Sequence, residues 1–158
     1  MNLKLVTAVL ESGSKEAIRA MFDDETTIFW VDWREFEGDI VRYCEAVINT
    51  GSLTYEWTKA AEAGARDLYI SYGGKRVRAP LLNNSGDRHI ALCVLNQVLA
   101  PDYEIRFCID SNGSDTLAFL PLPPVKWTEL EQRYGAGVSR HFYRFTERPN
   151  LFTDPLPF

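Results

Sequence analysis

Long apolar runs are missing from this sequence. None of its 158 residues belongs to a stretch approaching the roughly 18 consecutive apolar residues a membrane span needs. The N-terminal run around Leu3–Leu10 is cut by Glu11 and is followed by no small-residue cleavage site, so it makes a poor signal peptide. Cytoplasm is the expected location, with no membrane partner. Cysteine is scarce, and the three present (Cys44, Cys93, Cys108) have no paired spacing. That excludes a disulfide framework and leaves them as reduced core residues. Histidine is scarcer still, at two (His89, His141). Basic excess is absent: the formal net charge is −5, which argues against nucleic acid as a partner.

The acidity is uneven. Residues 1–63 hold 12 acidic and 6 basic side chains, and residues 64–158 hold 10 and 11. It is densest from Asp23 to Asp39, where Asp23, Asp24, Glu25, Asp32, Glu35, Glu37 and Asp39 stand against Arg34 alone. Such a run either keeps a surface solvated or docks a basic partner. Inside it lies Ile28-Phe-Trp-Val-Asp-Trp-Arg-Glu-Phe36. As a strand, this tract is apolar on both faces and fits a central, doubly buried position. With one rim exposed, Trp33 beside carboxylates has the make-up of a protein-binding hot spot.

The length fits one domain, residues 1–158, with a Pro/Phe-rich tail at 149–158 whose Leu151, Phe152 and Phe158 are expected to pack on the body or a neighbour. Leu3–Leu10 suits a strand or a helix. Ser14 can cap a helix through Phe22, and Thr26–Trp33 reads as a strand. Ile40, Tyr43, Cys44, Val47 and Ile48 form one face of a helix over 36–50, with Gly51 as its stop. A further helix is expected over Thr54–Ala63, ended by Gly64. Asp67–Tyr72 and Arg76–Leu81 flank Gly73-Gly74, the clearest hairpin signal. Asp87 can cap a helix over His89–Leu99 closed by Pro101. Tyr103–Ile109 alternates as a strand, Ser111–Ser114 turns into Thr116–Leu120, and Pro121–Pro124 makes a rigid link. Trp127–Tyr134 reads as a helix, and Val138–Phe145 suits either state. Two hairpins without βαβ repeats predict an α+β fold, a mainly antiparallel sheet with helices packed on one face.

Chemistry-bearing patterns are few. Nothing in the sequence pairs His89 with His141 as acid and base. His89 and Cys93 stand four apart on a helix with Cys108 on the next strand, short of the four ligands in tight pairs that zinc requires. Asp110-Ser-Asn-Gly-Ser-Asp115 has oxygens at alternate positions but lacks the late bidentate Glu of a calcium loop, and Asn-Gly suffices as a turn. Gly-x-Ser-x-Gly is absent, and no cysteine has an electropositive setting. Gly73-Gly74-Lys75 is too short for a phosphate loop. The expectation is a protein that is not an enzyme, with no catalytic residue, no metal and no cofactor.

Four stretches carry a likeness: Leu68-Tyr-Ile-Ser-Tyr-Gly-Gly-Lys-Arg-Val-Arg-Ala-Pro80, Asp87-Arg-His-Ile90, Leu95-Asn-Gln-Val-Leu-Ala-Pro-Asp-Tyr-Glu-Ile-Arg-Phe107 and Asp110-Ser-Asn-Gly-Ser-Asp-Thr-Leu-Ala-Phe-Leu-Pro-Leu-Pro123. They resemble small bacterial proteins encoded beside polymorphic toxins, including the immunity proteins of contact-dependent growth inhibition systems. The resemblance implies a non-enzymatic cytoplasmic protein that binds and neutralises the C-terminal domain of a cognate toxin, a nuclease in many such systems. Its binding residues do not transfer, so the expected partner-binding face comes from this sequence: Asp23, Asp24, Glu25, Asp32, Trp33, Glu35, Glu37 and Asp39. The alternatives are a small enzyme using His89 or His141 as acid/base, and a homo-oligomeric structural or regulatory protein.

Overall fold

Apolar residues at positions 6, 9 and 10 are buried along one side of the first segment, a helical rather than a strand spacing. It forms α1 (Leu3–Ser12), closed by Gly13 in the left-handed region with its N–H bonded to the Val9 carbonyl. The computed structural model describes residues 1–61 and 65–158. Ser14 caps α2 (Lys15–Phe22), its hydroxyl accepting from the Ala17 N–H. Then follow β1 (Phe29–Asp32) and α3 (Glu37–Ile48). The helix stops at Asn49, left-handed at φ 51°, two residues before the expected Gly51.

The expected helix over Thr54–Ala63 is instead strand β2 (Thr54–Lys59); residues 62–64 of that expectation lie outside the described residues. Tyr55 and Trp57 stand opposite Ile70 and Leu68 on one face of the strand, Trp57 half-buried and Tyr55 at the exposed rim, while Thr54, Glu56 and Thr58 alternate with them on the other face. The helix-favouring Ala60-Ala61-Glu62-Ala63 had obscured that period of two. The Gly73-Gly74 hairpin joins β3 (Arg66–Tyr72) to β4 (Lys75–Ala79), with both glycines at positive φ. Helix α4 (Asp87–Leu99) follows. Asp87 does not cap it: its carboxylate accepts from the Leu82 and Asn84 amides and ties down the preceding loop. The remaining elements are β5 (Glu104–Cys108), β6 (Thr116–Leu122), α5 (Pro124–His141) and β7 (Phe142–Tyr143). Strand β6 runs through Pro121 instead of ending at it. The strand tolerates this proline because β1 pairs only as far as Phe119, leaving no ladder partner for the missing N–H.

The fold is α+β with antiparallel pairing throughout, arranged as two sheets, β1-β6-β5-β7 and β2-β3-β4. Helices cover both faces of the larger sheet. Ala118, Leu120, Leu122 and Cys108 meet α1, α2 and α5 around the buried Trp127. Phe29, Val31, Ile105, Phe107, Leu117 and Phe119 meet α3 and α4, which also pack on Leu68 and Ile70 of the smaller sheet. Between two sheets α4 is apolar nearly all round, burying Ala91, Leu92, Val94, Leu95, Val98 and Leu99. Strand β1 is thus covered on both faces as expected, but it sits at the sheet edge and not at its centre.

Two polar devices close the larger sheet. Where β7 stops short, Asn96 takes the place of a strand: its amide donates to the Ile105 carbonyl and accepts from the Ile105 N–H. On the other face Arg106, 2% exposed, lies over the Trp127 ring at 4.1 Å. Its guanidinium reaches Glu104 and Glu131, both at 2.6 Å, while Nη2 has no partner among the described residues.

Candidate protein-binding face

The expected partner-binding residues divide between the two ends of β1. Asp23, Asp24 and Glu25 precede it. Asp24 is committed to a local turn, accepting from the Thr26 N–H and hydroxyl, and the hydroxyl bond holds its carboxyl below the ordinary value. Asp32, Trp33, Glu35, Glu37 and Asp39 follow the strand. There Arg88 of α4 acts as a hub, donating to the carbonyls of Glu35 and Asn84 and standing 4.0 Å from the Glu37 carboxylate. It fastens the loop after β1 to the loop after β4.

Most of these acids already have a cation. Asp23 faces Arg19, Asp32 faces Arg34, and Asp39 faces Arg42 at 2.9 Å. The Arg34 side chain keeps the Asp32 carboxyl below its ordinary value. The sequence tract shows seven acids against one arginine, whereas the folded surface brings in Arg19, Arg42 and Arg88 from flanking helices. Electrostatic attraction for a basic partner is correspondingly reduced.

What distinguishes this end of β1 is exposed aromatic surface. Phe36 is 73% exposed, Trp33 49% and Tyr55 38%. Phe36 occupies the N-cap position of α3, where a side-chain acceptor is usual, and makes no capping bond. Phe36, Tyr55 and Trp57 line a cleft of about 650 Å³ with Glu37, Asp39, Arg66 and Asn83. Trp33 lines a second depression, of about 310 Å³, with the Asn112–Asp115 turn and Phe152 of the tail. Phe36 closes the aromatic tract of the sequence and Tyr55 falls in the stretch expected to be helical, and neither is among the expected binding residues. An aromatic at an N-cap was the available signal for Phe36, while Tyr55 was hidden by the helical assignment.

Gly38 fixes the floor of the cleft. A Cβ there would lie 2.4 Å from the Tyr55 ring, so the ring rests on the backbone of α3. Gly38→Ala is therefore expected to swing Tyr55 outward. The ring is the free end of a side chain and can move, so stability should fall by no more than about 1 kcal/mol. The result is checked by denaturant titration beside the fluorescence of Trp57, which packs along the same wall.

The histidines lie on opposite faces of the larger sheet. His89, on α4, has both ring nitrogens engaged: Nε2 lies 2.8 Å from the Thr146 carbonyl and Nδ1 accepts from the Leu151 N–H. Burial holds its pKa below the ordinary value. Cys93 Sγ is 3.5 Å from Nε2, but burial pushes that thiol up to about 11, and Cys108 is fully buried on the far side of β5. No group of three His, Cys, Asp or Glu suited to a metal occurs among the described residues. His141 Nδ1 lies 2.7 Å from Asp110 Oδ2, so the first acid of the calcium-like loop is spent on an imidazole. The ring is 5% exposed, and its Nε2 faces Gly13 at the end of α1, with no hydroxyl or thiol in hydrogen-bonding reach among the described residues. Neither histidine reaches a substrate-sized space with a free nitrogen.

No known protein family, curated protein or solved structure shows a significant match to this chain.

Proposed function

We propose that this protein acts by binding another protein through the face formed by Trp33, Phe36 and Tyr55 with the carboxylates of Glu37 and Asp39, and that the partner is the C-terminal domain of a cognate bacterial toxin, which it neutralises. The observation that carries the binding reading is that three exposed aromatics line two clefts, Phe36 and Tyr55 together in one and Trp33, three residues before Phe36, in the other. Aromatic anchors with a polar rim supply most of the energy of protein interfaces. The toxin reading rests on the resemblance of the four stretches 68–80, 87–90, 95–107 and 110–123 to immunity proteins, and the surface chemistry is compatible with it. The engaged ring nitrogens of His89 and the enclosed ring of His141 favour binding over acid–base catalysis.

The test is capture on the full chain from its native host, followed by co-expression with the captured domain. A single partner bearing a toxin domain, whose growth arrest the chain relieves, is the expected result. Recovery of the chain alone, or a captured domain whose toxicity is unchanged, sinks the proposal.

A further inference from the structure

The chain after β7 does not trail off. Phe145 is buried, with its ring 5.8 Å from His89 and edge-on to Phe119 at 6.0 Å. Asn150 donates to the Gly86 carbonyl at the start of α4, Leu151 is buried, and Phe158 meets Tyr143 and Phe107. Phe145, Thr146 and Glu147 form one wall of a cleft of about 870 Å³. Arg78 and Pro80 line it too, together with His89, Ile90, Cys93 and Val94 of α4.

His89 is the fastening. Because Nδ1 accepts from the Leu151 N–H, the ring proton sits on Nε2 and is donated to the Thr146 carbonyl. One neutral imidazole thus holds two points of the segment, five residues apart. A second proton can go only on Nδ1, where it would oppose the Leu151 N–H, donor against donor.

We propose that the segment Phe145–Phe158 is a strap latched by the neutral His89 ring, and that protonation of this ring releases the strap and opens the cleft along α4.

The groups facing the ring agree with this. On α4 the Cys93 thiol is neutral at ordinary pH, since burial pushes it up to about 11. On the strap, Asp154 and the carbonyls of Thr146 and Glu147 favour the charged ring, while Arg148 and burial oppose it, and burial dominates. Arg78 lies across the cleft. The sign follows from a folded-state pKa below the ordinary 6.5. The latch is complete above that pH and weakens as pH falls below it, by at most about tenfold per pH unit, until the folded-state value is passed. Asp154, held low chiefly by the Asn150 N–H, stays ionised through this window.

Hydrogen exchange on the full chain between pH 7.5 and 5, corrected for the intrinsic rate, tests the proposal. Protection of residues 145–158 should fall by up to about tenfold per pH unit below 6.5, while β6 keeps its protection. In His89→Gln the strap should become insensitive to pH over that range. Equal pH dependence in the variant, or joint loss of strap and β6 protection in the wild type, overturns it. Should the variant not fold, nitrogen NMR of the wild-type ring decides. Titration of His89 coinciding with strap release upholds the latch, and titration without release refutes it.

Discussion

Replacing Glu104 by alanine should destabilise the fold by about 3–5 kcal/mol, the cost of removing one partner from a buried ion pair. Glu104 accepts from the Nε of Arg106 at 2.6 Å and from Nε and Nη2 of Arg144 at 2.9 and 3.0 Å. Without it, the enclosed Arg106 guanidinium would keep only Glu131, which is itself partly solvated, and a second nitrogen would join Nη2 without an acceptor. Arg106→Met is the contrasting case. It removes the charge and the orphaned nitrogen together and keeps an apolar stem against Trp127, while Glu104 retains Arg144. The expected change is within about 1 kcal/mol in either direction. Urea midpoints at constant m-value check both. If Arg106→Met costs as much as Glu104→Ala, the ion pair is a net stabiliser and the argument fails.

Phe36→Ala is expected to weaken partner binding by at least about thirtyfold, near 2 kcal/mol, while changing stability by less than about 0.5 kcal/mol. The separation arises because Phe36 is 73% exposed and caps nothing, so the isolated fold gains little from its ring. Trp33→Ala should weaken binding too, with some loss of stability, because part of its surface packs between the 112–115 turn and Phe152. Titration calorimetry beside thermal unfolding separates the two effects. Unchanged affinity in both variants would remove this end of β1 from the interface. The local arginine partners also imply a shallow salt dependence, since a basic partner must compete with cations already in place.

Elements whose signal was local were legible in the sequence. Ser14 before an amphipathic octet, Gly73-Gly74 between two short strand segments and the 3-1-3-1 spacing of α3 each fixed an element through its own residues. What failed depended on neighbours. The six alternating residues of β2 were outweighed by the alanine-rich stretch after them, and Asp87 sits where a cap belongs but bonds to a loop. For the candidate face the sequence located the end of β1 but misjudged its charge. The arginines that offset Asp23, Asp39 and Glu37 come from helix positions outside the acidic tract or on another element. Phe36 and Tyr55 meet only because α3 and β2 converge at Gly38, a contact no linear pattern encodes.

The pairing of Phe29 with Phe119 carries a consequence for how the protein is made. Strand β1 leaves the ribosome well before its ladder partner, which lies about 90 residues downstream. The smaller sheet, by contrast, closes within residues 54–79. During synthesis Phe29 and Val31 therefore wait, unpaired and sticky, until Thr116–Phe119 emerges. The acidic residues on either side of β1 stand where gatekeeper charges stand beside aggregation-prone strands, a placement that disfavours pairing with a neighbouring nascent chain.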